Sequence, residues 1–137
     1  MTDTTLLTGG FTLPTWDEDP YAEIPADGGA ERYVRVRNTK EFTGGLTGTG
    51  VADLLQVLLP SGAAAYVGIE RVEATVDGRR GTFVLMHAAA GDSTGGSMSV
   101  TVVPGSGTGD LDGLRGEMQI DRSPEGVHTY TFDVVLP

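Results

Sequence analysis

The stretch Tyr66–Gly91, YVGIERVEATVDGRRGTFVLMHAAAG, decides the fold. Asp77-Gly78 sits inside it as a tight-turn signal, because glycine adopts the backbone angles that a short hairpin loop needs. Before the turn, Val67, Ile69, Val72 and Val76 stand among polar neighbours. After it, TFVLMHA at 82–88 is apolar on both faces and calls for cover on both. The stretch therefore predicts an antiparallel pair of strands. Strand side chains alternate between faces. Tyr66, Gly68, Glu70, Val72 and Ala74 share one face, and Phe83, Leu85 and His87 share a face of the next strand. A carboxylate and an imidazole thus fall where neighbouring strands can turn them into one cavity. The competing reading puts Glu70 in solvent and His87 at a strand end on the surface.

The same patterning extends outward. Residues 1–10 are expected to be a flexible N-terminal segment, with a single domain over 11–137. Phe11, Leu13 and Trp16 mark a first short strand that Pro14 interrupts. Trp16 is expected to be a packing residue. WDEDPYAEIPADGG reads as an acidic connecting loop with solvated carboxylates. Glu31–Phe42 alternates cleanly, with Val34 and Val36 on one face and Tyr33, Arg35, Arg37 and Thr39 on the other. Gly44, Gly45, Gly48 and Gly50 predict bends and turns. VADLLQVLL at 51–59 is short for a helix and is read as a strand. SMSVTVV at 97–103, residues 111–121 and His128–Leu136 complete about eight strands. Closing eight antiparallel strands removes exposed edges, so the expected fold class is all-β, a single closed antiparallel barrel. At that size the interior is either filled or holds one small ligand.

Composition narrows function further. The chain has 137 residues and a formal charge of −10, with 19 acids against nine basic residues. That field repels a phosphate backbone and an anionic membrane, and no basic stripe offsets it, so neither is an expected partner. Cysteine is absent, which removes thiolate chemistry and disulfides. The glycines after Phe42 lack the Lys-Ser or Lys-Thr of a phosphate-binding loop, and no dinucleotide fingerprint appears, so no cofactor is expected. Met1 opens a polar segment without a basic signal region, and the expected location is cytoplasmic.

Several motifs resemble one bacterial family. They are Tyr66-Val67-Gly68-Ile69-Glu70-Arg71, the run Asp77–His87, Val102–Gly109 and Leu111-Asp112-Gly113-Leu114-Arg115-Gly116. Together they resemble the DUF3224 family, placed near the allene oxide cyclase-like and dirigent-like barrels. The resemblance implies an eight-stranded barrel with a lined cavity. It also implies a possible homo-oligomer and cofactor-independent guidance of a reactive substrate. Where the family often carries a Gln before the His, this chain has Met86, followed by Ala88-Ala89-Ala90. If those positions line the barrel, its cavity is more apolar than the family pattern.

The candidate catalytic pair is Glu70 and His87. A carboxylate in an apolar cavity suits proton transfer near neutrality. Tyr66, Phe83, Leu85, Glu117, Gln119 and Tyr130 are the candidate ligand-binding residues, with Glu117 an alternative acid if its face turns inward. A metal site from Glu70, His87 and Glu117 is weighed and set aside, because the only histidines, His87 and His128, show no ligand spacing. No nucleophile elbow marks a serine. The expected function is a cofactor-independent cyclase or isomerase acting on a small, largely apolar metabolite inside the barrel. The alternative is a non-catalytic barrel that binds a hydrophobic small molecule.

Overall fold

The computed structural model describes residues 3–137. The chain forms β1 (Thr5–Ala26), β2 (Gly29–Gly44), β3 (Leu46–Leu58), β4 (Ala64–Val76), β5 (Arg79–Asp92) and β6 (Gly95–Val102), then β7 (Arg115–Arg122) and β8 (His128–Val135). A short 3-10 turn, Gly109–Leu111, precedes β7. The strands pair in sequence order and β8 closes onto β1, giving an antiparallel closed barrel. No helix among the described residues is long and apolar enough to cross a membrane.

The β4–β5 hairpin forms as its sequence requires. Asp77 and Gly78 take φ of 48° and 81°, and thirteen register pairs run from Val76↔Arg79 to Ala64↔Gly91. The 51–59 stretch lies mostly in β3, not in a helix.

Two expectations about the N-terminal region are corrected. Residues 5–10 belong to β1: Leu7 is buried, and this part of the strand pairs with β8. The acidic stretch after Trp16 is strand rather than loop, because β1 pairs with β2 as far as Ala26↔Gly29. Beyond Phe11, β1 has no β8 partner, so this segment is an edge. Pro14 lies at one register shift and Pro20 borders another. Proline is tolerated at such places because it has no ladder donor to lose there, and edge acids and prolines discourage further pairing.

One end of the interior is packed solid. Phe83, Leu85, Leu111, Leu114, Phe132 and Val134 are fully buried there. The other end is looser, with only a small cluster of Val34, Val36, Ala52 and Leu54. The wall is thinnest between β6 and β7, which share only the register pairs Val100↔Met118 and Thr101↔Glu117.

Candidate functional site

Between the packed end and the open end lies a buried polar trio. Glu70 on β4 is fully buried, His87 on β5 is 3% exposed and Lys40 on β2 is 7% exposed. Parity turns each inward: Glu70 alternates with Val72 and Ala74, His87 with Phe83 and Leu85, and Lys40 with Val36 and Phe42. His87 Nε2 donates to Glu70 Oε1 at 2.8 Å, and Lys40 Nζ donates to the same oxygen at 3.0 Å. An ionised carboxylate only accepts hydrogen bonds, so a ring proton sits on Nε2, and Nδ1 is the nitrogen left for other contacts.

Burial alone pushes the Glu70 carboxyl up. The His87 hydrogen bond and the Lys40 charge outweigh it and hold the group below its ordinary value. Glu70 is therefore an anion at neutral pH. Its second oxygen, Oε2, is buried without a hydrogen-bond partner. An apolar cavity by itself would raise the carboxyl toward neutrality, as expected for an acid/base pair; the shift here is the other way, because two donors converge on Oε1.

Lys40 reaches Glu70 across β3, since β2 and β4 are not neighbours. The register sets Lys40 opposite Gly50, and Gly50 opposite Val72. A Cβ at Gly50 would clash with Glu70 Oε2 and lie 3.2 Å from the Phe42 ring. Gly48, Gly50 and Ala52 share the inward face of β3 and leave the gap through which the ion pair forms. Gly48 and Gly50 are thus strand residues, not the bends the sequence led one to expect.

Above the trio the barrel encloses a cavity of about 260 Å³, near the lower bound of small-molecule pockets at roughly 300 Å³. His87 and Lys40 stand at its wall; Glu70 lies behind them and does not line it. Tyr66, Asn38, Leu54, Ile120 and His128 complete much of the lining. Asn38 is 2% exposed and its side-chain oxygen has no partner. Burial, and then the Glu70 charge, push the Tyr66 hydroxyl above its usual value. Trp16, 46% exposed, borders the mouth instead of packing in the core.

The remaining sequence candidates separate. Tyr66 meets the cavity. Phe83 and Leu85 are buried in the packed end and do not line it. Tyr130 is a tie between strands: its hydroxyl accepts from the Leu46 N–H at 2.9 Å and donates toward the Thr43 and Leu46 carbonyls at 2.7 and 3.0 Å. Glu117 and Gln119 lie exposed on the outer face of β7, because Met118 and Ile120 take the inner parity. The set Glu70, His87 and Glu117 is therefore not brought together. Met86 is 52% exposed on the outer face, so its replacement of the family's Gln leaves the cavity unchanged.

Lys40 and Asn38 were missed by the sequence reading. Continuing the parity of Val34 and Val36 along the same strand would have found both.

A family profile described as "Protein of unknown function (DUF3224)" matches residues 7–134. The fold is similar to the crystal structure of a protein of unknown function from the DUF3224 family of Shewanella oneidensis MR-1. That similarity has a TM-score of 0.82 at 32% identity, covering 98% of this chain and 99% of the other. A comparison with curated proteins gave no match.

Proposed function

The chain belongs to the DUF3224 family, and on that premise we propose a cofactor-independent isomerase or cyclase whose small, largely apolar substrate binds in the open half of the barrel. The proposal includes kinship in mode of action with the allene oxide cyclase-like barrels, in which a shaped cavity guides a reactive molecule.

One observation carries the reading. Glu70 is a fully buried anion whose Oε1 takes hydrogen bonds from both His87 and Lys40. A barrel floor of apolar residues would avoid the desolvation cost of those charges, which is several kcal/mol per ion. Strongly perturbed ionisable clusters in cavities concentrate at functional sites. The unpartnered Asn38 oxygen in the same cavity offers an acceptor to a ligand.

In this reading Glu70 is a positioning residue. It fixes the His87 ring and its tautomer. His87 Nδ1 removes a proton from a carbon beside a carbonyl, and the C–H electron pair moves into an enolate. A free N–H of Lys40 stabilises the enolate oxygen. The imidazolium then returns the proton at another carbon, so an isomerisation balances without any external oxidant or reductant. A cyclisation instead draws on the confinement of the substrate in a reactive shape.

The non-catalytic alternative also has an observation in its favour: Glu70 is screened from the cavity and neutralises Lys40. Native mass spectrometry of freshly purified protein supplies the mass of a retained ligand. With that ligand, His87→Gln should lower kcat at least about tenfold, the low end for a positioned acid or base, while Kd changes little. Return of the ligand chemically unchanged after prolonged incubation would favour the binder.

A further inference from the structure

The cavity is lined by basic residues although the chain as a whole is strongly acidic. Arg122 on β7 and His128 on β8 are direct register partners, and His128 is also paired with Phe11 on β1. The His128 ring stacks on Phe11 at 4.9 Å between centroids, and Lys40 Nζ sits 5.0 Å from the same Phe11 ring. His128 and Lys40 thus meet one aromatic ring from two strands, and Arg122 lines the same cavity from a third. Among the described residues no aspartate or glutamate lines this cavity. Lys40 is neutralised by Glu70 from behind, but Arg122 makes no salt bridge among the described residues. Burial, then the positive charges of Arg122 and Lys40, hold the His128 imidazole below its ordinary value. Among the described residues Arg122 is left at the cavity without a counter-ion, which an anionic ligand would supply.

We propose that the natural ligand is a small apolar molecule bearing one carboxylate, with the carboxylate held at the mouth by Arg122 beside His128 and the apolar body reaching toward His87. This rests on the reading of the cavity as a ligand site. A guanidinium presents paired N–H groups that match the two oxygens of a carboxylate. The single uncompensated cation fits a monoanion, and the chain's charge of −10 opposes a dianion. Leu13, Leu54, Ile120 and Met98 provide the apolar wall below the clamp.

Trp16, the only tryptophan, borders the same mouth and reports on its occupancy. The full chain is titrated with octanoate, octanol and octyl phosphate by Trp16 fluorescence, with calorimetry as a second readout. Octanoate should bind at least about tenfold more tightly than octanol, as expected for a charge-assisted hydrogen-bonded contact, and more tightly than octyl phosphate. Arg122→Gln should bring octanoate down to the affinity of octanol, and Arg122→Lys should retain part of the preference. Equal binding of octanoate and octanol, a preference for octyl phosphate, or a preference that survives Arg122→Gln overturns the carboxylate clamp and leaves the cavity reading standing. Failure of all three probes to bind by either readout overturns both.

Discussion

Glu70→Gln tests the buried trio most directly. The variant keeps the size of the side chain and an acceptor at Oε1, so the barrel should still fold. It removes the anion that offsets Lys40, whose side chain is 8% exposed and 3.0 Å from Oε1. Removing one partner of a buried ion pair costs about 3–5 kcal/mol. Lys40 borders the cavity, where water can reach its ammonium, so the lower end applies, about 3 kcal/mol. With a urea slope of about 2 kcal/mol/M, the unfolding midpoint should fall by roughly 1.5 M. Far-ultraviolet circular dichroism is the suitable signal, because Trp16 reports on the mouth rather than on the core. The double variant Lys40→Met with Glu70→Gln removes the stranded cation as well. It should regain at least about 1.5 kcal/mol relative to Glu70→Gln, a coupling typical of contacting residues. A loss under about 1 kcal/mol for the single variant, or no recovery in the double, would refute the assignment of the pair as a mutually dependent buried ion pair.

Acid should weaken the fold in two windows. His128 has a lowered value in the fold, so the unfolded chain takes its proton first and stability declines as pH falls from about 6.5. Glu70 is likewise lowered: its contribution is complete above about 4.5 and is lost as pH falls from there through its folded value. Urea midpoints across pH should show both limbs, and Glu70→Gln should flatten only the more acidic one. Gly50→Ala should cost about 1–3 kcal/mol, as overpacking does, because its Cβ meets Glu70 Oε2; urea unfolding indistinguishable from the parent would contradict the contact. Tyr130→Phe leaves the Leu46 N–H and two carbonyls without their hydroxyl partner, and thermal unfolding should register a loss of roughly 1–3 kcal/mol.

Much of the candidate site was legible from short-range pattern. Glu70 and His87 lie six and eight residues from the turn ends of β4 and β5, whose Asp77-Gly78 loop sets the register, so alternation alone puts both on one face. Longer-range features were harder to read. The prolines and acids after Trp16 look like loop because composition does not reveal that one side of that strand is an edge, where a missing donor costs nothing. Phe83 and Leu85 share the inward parity of His87, yet parity does not tell a packed level of the barrel from a hollow one. Glu117 and Gln119 required a choice of face, and the apolar pair Met118 and Ile120 on the same strand already pointed to the answer.

Most strands, the closed all-β architecture and the inward parity around Glu70 and His87 can be read from the residues alone, because hydrophobic alternation and turn chemistry act over a few residues. That Lys40 completes the trio, that Glu70 stands behind the cavity instead of in it, and that Arg122 and His128 meet at the mouth emerges only from the folded barrel. Those contacts join strands far apart in the chain, and their distances follow from the accumulated register around the barrel. Lys40 and Glu70 are separated by a whole strand, and they touch because Gly50, between them, has no side chain.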